Sequence, residues 1–499
     1  MAFVFRGARP FDVHVEGSKI VARAEDARVL DCRGLAVAPG FIDAHSHSDL
    51  RVLAEPALPM KVRQGITTEV FGQDGLSVAP VIAKDVAARR RQLAGLDGDP
   101  LPQWPWTGVG EYLDAVRKAK PAVDVAYLIP HGAVRQCAMG MDDRAPTPAE
   151  LREMERLTRT GMEEGAVGMS TGLIYPPCCY AKTDELIALA RVVAKFDGVF
   201  VAHIRNEGDF IVPALEELIR VGRESGCRIH VSHLKIAGRD NWPKLEQVLR
   251  LLEGARKDVE ISADQYPYVA GSTMMGAILP PWAHSGGPDA AVRRLSDPVE
   301  RARMREQILD PRPAEWDNFW RWSGAEGIVI SDIASGNHPG LLGRTLAQAA
   351  GKREPLDFAL DLLRDEKLGV SMVSFSQCEE VVEAFLRLPY VGVCTDGLLG
   401  GRPHPRAYGT YPRILGRYVR DRKVLSLEAA LCKMSAVSAR AYRLKGMGAV
   451  EPGARANLVA FDPERVTDLA TFENPCQFPE GIVYVMHGGE LVYDATASA

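Results

Sequence analysis

Four of the eleven histidines close apolar runs, and their spacing suits a metal site. The first two end Val37-Ala38-Pro39-Gly40-Phe41-Ile42-Asp43-Ala44-His45-Ser46-His47, which reads as one short strand entered through a Pro-Gly turn. Residues two apart on a strand point the same way, so His45 and His47 can aim both imidazoles at one divalent ion. His203 ends a run at 199–203, and His233 ends another at 227–233. The His45-His47 pair alone is equally well a metal-free strand end, and His203 or His233 alone reads first as a hydrogen-bonded core residue; the four together point to metal. Asp396 closes the run 391–396 and is followed by Gly397. A carboxylate there could ligate metal and hold the proton taken from a nucleophilic water, although Asp is also a favoured helix N-cap. Asp74, in Phe71-Gly72-Gln73-Asp74-Gly75, admits two readings of equal weight: a metal ligand, or an ordinary Asp-Gly turn.

Further candidates surround these. Tyr175, in the rigid run Gly172-Leu173-Ile174-Tyr175-Pro176-Pro177, could donate to an oxyanion or could simply pack. Lys235 lies two residues after His233 and points the same way if the strand continues. Arg402 and Arg406 follow Asp396. Beside a metal hydrolase centre, a Lys and an Arg suggest an anionic substrate group, most simply a carboxylate; without such a centre they read as a solvated loop face.

Bringing these residues together requires strand ends that converge. From residue 37 onward, apolar strand patterns alternate with helical ones, which argues for a parallel sheet with crossover helices. Strand candidates run up to His47 and over 67–72, 123–129, 166–170, 199–203, 227–233, 259–264 and 391–396, with helical stretches such as 148–164 and 183–196 between them. Eight strands in this order predict a TIM-like (β/α)8 barrel, whose strand ends share one face. The run 370–375 is a further strand candidate that could displace one of the eight. Residues 275–345 break the repeat and carry four of the seven tryptophans, Trp282, Trp316, Trp320 and Trp322. An insertion on that face reads as a lid or as a subdomain that only adds stability. Short strand patterns punctuated by Gly, Asp and Pro fill residues 2–36 and recur near the C-terminus. Neither set is large enough to stand alone, so the expectation is one small β domain from 1–38 and 440–499, with the barrel at 39–439 between.

The chain has 499 residues, 46% of them apolar, enough for a large barrel with an accessory domain. A net charge of −5 without a basic block argues against nucleic acid or an anionic membrane surface as the main partner. Nine scattered cysteines do not read as a disulfide framework, which fits a reducing cytoplasm. The N-terminus lacks a signal-peptide pattern, and no apolar run is long enough to span a bilayer.

The motifs resemble one family. Pro39 to His47 is similar to the first strand of the amidohydrolase superfamily. The segments 170–177, 203–209, 232–235, 264–273, 395–397 and 404–413 resemble the N-acyl-D-amino-acid deacylases, or D-aminoacylases, and the likeness runs over nearly the whole chain. The resemblance implies a zinc-dependent barrel hydrolase that splits an N-acyl-D-amino acid into a carboxylate and a free D-amino acid. By the same resemblance, His203 and His233 hold a tight Zn2+, and His45, His47 and Asp396 line a second, weaker divalent site. The resemblance also implies that Lys235, Tyr266, Ser272 and Arg406 bind the carboxylate of a small-molecule substrate. One departure stands out: where the family has Gly-Asn-Cys-Gly, with cysteine bridging the metals, this chain has Gly72-Gln73-Asp74-Gly75. Two other functions stay open from the residues: a cyclic amidase of hydantoinase or dihydroorotase type, and a non-catalytic barrel scaffold.

Overall fold

The computed structural model describes residues 1–497, the side chain of Asp97 excepted. Eight parallel strands form one sheet in chain order: Phe41–Asp43, Ile66–Phe71, Asp124–Pro130, Gly168–Gly172, Val199–His203, Arg228–Val231, Ile261–Gln265 and Val391–Val393. Helices on the outside cover them, so the strands are buried almost throughout, as in parallel sheets generally. Local chemistry places the helices. Pro148–Glu163 starts at a capping box in which Thr147 and Glu150 satisfy each other's backbone N–H, with Pro148 in the first turn.

The sheet closes between the first and eighth strands. The Asp396 N–H donates to the His45 carbonyl at 2.8 Å, and the Ala44 N–H lies 3.5 Å from the Val393 carbonyl. Buried polar side chains complete the seam. Asp43 accepts from the Thr395 N–H at 2.7 Å and from its hydroxyl at 2.6 Å. Lys61, fully buried, reaches Asp43 at 2.7 Å, Thr395 Oγ1 at 2.8 Å, Ser46 Oγ at 3.0 Å and Glu69 at 2.9 Å. Burial disfavours its ammonium, but Asp43 and Glu69 outweigh that and hold its pKa above the ordinary lysine value.

One expectation needs correction, and two others gain detail. The run Val37–His47 is not one strand. Ala36–Pro39 pairs antiparallel with Leu458–Phe461 in the terminal β sheet, and only Phe41–Asp43 joins the barrel. The break falls at Gly40, where a Cβ would meet the Thr67 side chain at 2.2 Å, so only glycine lets the chain change sheets here. His45 and His47 therefore lie beyond the laddered strand. The run 370–375 displaces no barrel strand: Val370–Ser374 is the centre of a separate antiparallel sheet with Gly271–Met274 and Ile328–Ile333. That sheet, with strands at 271–274, 328–333 and 370–374, flanks the insertion at 275–345, so the segment 271–377 forms one excursion from the barrel. Within it Trp322 lies against Gly208 and Gly238, so close that a Cβ on either would fall 2.5–2.7 Å from the ring.

The two chain ends build two four-stranded sheets. One comprises Lys19–Val21, Val13–Glu16, Ala2–Arg6 and Arg28–Asp31; the other comprises Glu490–Asp494, Ile482–His487, Leu458–Phe461 and Ala36–Pro39. Their shared core includes Phe3, Phe5, Val15, Leu458 and Met486. Among the described residues no helix is long and apolar enough to cross a membrane.

Replacing Lys61 with Met leaves two buried carboxylates without a counter-charge, which should cost about 3–5 kcal/mol. Urea unfolding monitored by circular dichroism should show a clear drop in midpoint for Lys61→Met. A midpoint equal to that of the native chain would show that the seam does not depend on this ion pair.

Candidate metal centre

The four histidines and two aspartates converge at the C-terminal mouth of the barrel. His45 Nε2 and His47 Nε2 are 3.3 Å apart. Asp396 Oδ1 is 3.6 Å from the first and 3.3 Å from the second. His203 Nδ1 and His233 Nε2 form a second pair at 3.0 Å. Asp74 stands between the pairs: Oδ2 is 3.5 Å from His45, 3.6 Å from His47 and 4.0 Å from His203, while Oδ1 is 3.5 Å from His233. Two ligands on one ion at bond lengths near 2.1 Å and a tetrahedral angle are about 3.4 Å apart. The observed separations match that edge length, so these residues fit a divalent metal. They form two overlapping donor sets, with Asp74 placed to share an oxygen with each.

Backbone shape aims three of these side chains. Asp74, His233 and Asp396 have φ of 56°, 34° and 46°, the left-handed region that side-chain-bearing residues rarely enter. The loop around Asp74 is locked: Gln73 Nε2 donates to the Ala44 carbonyl at 2.9 Å, and the Gly75 N–H donates to Ser170 Oγ at 2.9 Å. A Cβ on Gly72 would strike the Leu128 carbonyl at 2.0 Å. Asp264 Oδ1 accepts the His233 N–H at 2.6 Å and fixes that turn. Asp74 is thus both a turn residue and a member of the buried His/Asp cluster.

Charge balance keeps both carboxylates ionised. Burial opposes this, but His45 and His233 outweigh it at Asp74, and Arg406 with His45 outweighs it at Asp396, so both lie below the usual carboxylate range. Burial, reinforced by the charge of Asp74, pushes the Tyr175 phenol well above its ordinary value, so it stays a donor.

A cleft of about 490 Å³ opens onto the cluster. Tyr175, Lys235, Tyr266 and Ser272 line it, with Phe319 from the insertion and Gln377 at its end. Their partners differ from a simple carboxylate pocket. Tyr175 Oη lies 2.8 Å from Thr273 Oγ1, Ser272 donates to the Met372 carbonyl at 2.9 Å, and Tyr266 accepts from Gln377 at 3.0 Å. Lys235 Nζ is 2.6 Å from Glu207. Arg406 is fully buried behind Tyr266, does not line the cleft, and pairs with Asp396 Oδ2 at 2.9 Å. Arg402 lies away from the cleft, where its guanidinium packs on Gly343 and donates to the Glu473 carbonyl. Sequence reasoning passed over Glu207 and Asp317, which form a buried group with His203. The polar run from His203 to Asp209, continuing past a strand end, was the available signal for Glu207. Nothing local marks Asp317, which arrives from the insertion more than a hundred residues later.

Comparison with known proteins agrees with this geometry. The Amidohydrolase family model matches residues 28–277 and 395–493. A D-aminoacylase from Alcaligenes xylosoxydans xylosoxydans is 34% identical over 98% of this chain and 92% of its own. The structure of N-acyl-D-glutamate deacylase from Bordetella bronchiseptica, complexed with zinc and a phosphonate mimic of the tetrahedral intermediate, is 31% identical; the match covers 99% of this chain and 95% of that one, with a TM-score of 0.80. A D-aminoacylase structure that addresses a binuclear metal centre, with activation by one metal and attenuation by a second, is 32% identical over 97% of this chain and 92% of its own, with a TM-score of 0.79. A buried His/Asp cluster at the mouth of a closed parallel barrel, together with likeness over nearly the whole length, places the chain in the N-acyl-D-amino-acid deacylase (D-aminoacylase) family of the amidohydrolases.

Proposed function

We propose that this chain is a metal-dependent hydrolase that cleaves the amide bond of N-acyl-D-amino acids to a carboxylate and a free D-amino acid. The observation that carries this reading is Asp74, placed between two histidine pairs opposite Asp396, in a cleft lined by one ammonium group. The relatives that are 33–36% identical over nearly the whole chain are named D-aminoacylase, N-acyl-D-aspartate deacylase and N-acyl-D-glutamate deacylase, whereas the hydantoinase and dihydropyrimidinase folds are alike at only 14–15% identity, which favours this reading over a cyclic amidase. The buried groups of three His and Asp donors at the mouth speak against a non-catalytic scaffold.

In this reading His203, His233 and Asp74 would hold a tight Zn2+, and His45, His47, Asp396 and Asp74 would line a weaker site. When bound, the metal supplies Lewis acidity toward the scissile carbonyl and lowers the pKa of water toward neutrality. Asp396, held ionised, accepts the proton of the attacking water and returns it to the leaving nitrogen. Tyr175 stays protonated and offers its O–H to the carbonyl oxygen. Lys235 binds the substrate carboxylate beside Tyr266 and Ser272. This anchors the Cα substituents and decides which face of the amide meets the water, the basis for selecting D over L. Arg406 acts one step back: its guanidinium holds and orients Asp396. With oxygen in place of sulfur at position 74 the donors are all nitrogen and oxygen, which shifts preference toward Mn2+ or Co2+ while the imidazoles still suit Zn2+. Nine free thiols support a reducing, cytoplasmic setting.

The direct test is turnover of N-acetyl-D-amino acids, their L enantiomers and hydantoins by the chelator-stripped and Zn2+-reloaded enzyme. Turnover confined to hydantoins, or no turnover with any added metal, would refute the assignment. Asp396→Asn keeps a residue type that tolerates φ of 46°, so it should fold normally yet lose at least ~10²-fold in kcat. Activity within a few-fold of the parent would remove Asp396 from the chemistry. Asp74→Ala should lose bound metal on dialysis together with activity, and Asp74→Cys should recover zinc; full metal content in Asp74→Ala would reduce Asp74 to a turn residue. Arg406→Ala should lower kcat alike for N-acyl-D-amino acids and for analogues whose carboxylate is an amide. A KM rise restricted to the acids would show instead that Arg406 reads the carboxylate directly.

A further inference from the structure

His203 and His233 each turn one ring nitrogen toward Asp74 and the other toward a single carboxylate. His203 Nε2 is 3.6 Å from Glu207 Oε2, and His233 Nδ1 is 3.1 Å from Glu207 Oε1. We propose that Glu207 is a positioning residue that sets the tautomer of both imidazoles, and that the 271–377 insertion holds Glu207 in place through Asp317. This rests on the metal centre proposed above.

A nitrogen that ligates metal must be bare, so in a neutral imidazole the proton sits on the other nitrogen. His233 Nδ1 faces two rivals. Lys235 Nζ lies 2.7 Å away and can only donate, which would put the ring proton on Nε2 and block ligation. The Glu207 carboxylate can only accept, which puts the proton on Nδ1 and leaves Nε2 bare. Lys235 has an alternative acceptor in the same carboxylate, at 2.6 Å. Glu207 therefore draws the ammonium away from the ring and selects the ligating tautomer in one arrangement. At His203 the requirement is the mirror image: Nδ1 faces the cluster, and Nε2, without a hydrogen-bond partner, points at Glu207 Oε2 and at Asp317 Oδ2, 3.9 Å away.

Asp317 belongs to the insertion. Its Oδ1 accepts the Glu207 N–H at 3.0 Å. On either side, Asn206 Nδ2 donates to the Ala314 carbonyl at 3.3 Å, and Asp209 accepts the Ala314 N–H at 3.1 Å and pairs with Arg321 at 2.5 Å. The insertion thus clamps the chain on both sides of Glu207, beyond walling the cleft with Phe319.

Glu207→Gln conserves shape but offers one acceptor and one donor where two acceptors are required, so one imidazole must take the wrong tautomer. Zn2+ dissociation constants from competition with a chromophoric chelator should rise 10–100-fold, in the range expected when a group that orients a ligating histidine is lost. Glu185→Gln is the control: Glu185 is a buried carboxylate paired with His131 and Arg135 away from the cleft, and its loss should leave zinc affinity unchanged. Parental affinity in Glu207→Gln, or an equal loss in Glu185→Gln, would overturn the proposal. If Glu207→Gln does not fold, Asp317→Ala serves: it should weaken zinc several-fold, and unchanged affinity would again overturn the proposal. Absence of zinc binding by the parent enzyme would instead defeat the metal reading itself, a result distinct from all of these.

Discussion

The buried ion pair of Lys61 with Asp43 and Glu69 is the constraint on which the mouth of the barrel depends. A parallel sheet closes only if its last strand is held against its first, and here the final strand is three residues long. Backbone bonds across so short an edge are few, so Asp43 grips Thr395 through backbone and side chain, and Lys61 bridges both to Glu69. Ser46 joins the same network, donating to Glu69 at 2.5 Å and accepting from Lys61. Ser46 separates His45 from His47, and Thr395 precedes Asp396. The network that closes the barrel thereby also fixes the distance between the histidine pair and the carboxylate opposite it.

Much of this architecture was legible in the residues because parallel strands bury both faces and so read as continuous apolar runs. All eight barrel strands stood out in that way, and the histidines marked where several of them end. What could not be read depended on packing between distant segments. The break at Gly40 follows from the Thr67 side chain crossing close to its backbone, a contact invisible along the chain. The run 370–374 has the same apolar texture as a barrel strand, and only its partners at 271–274 and 328–333 assign it elsewhere. For Arg406 the residue type pointed to a carboxylate, and that Asp396 of its own site lies 2.9 Å away is set by packing that the chain order does not show. Arginine type alone does not say which carboxylate it will meet.

The insertion shows how a fold with a fixed face can be adapted. The barrel supplies converging strand ends, while a wall of the cleft and the clamp around Glu207 come from a segment with its own small sheet and its own apolar core of residues such as Met304, Leu346 and Leu360. Trp322 wedged against Gly208 and Gly238 joins the two bodies tightly. Changes in the insertion can therefore reach the histidines through backbone contacts without touching the cleft itself.

Asp74, His233 and Asp396 share a left-handed backbone conformation that glycine adopts freely and that Asp and His tolerate better than most side chains, at the low end of a cost of about 1–3 kcal/mol each. Glycine would relieve the backbone at each, although at position 396 it would leave the buried Arg406 guanidinium unpaired. The native chain therefore carries a standing opposition between its chemistry and its durability. At Asp396, by contrast, stability itself retains the strained residue, because losing the carboxylate beside buried Arg406 would cost more than the turn would gain.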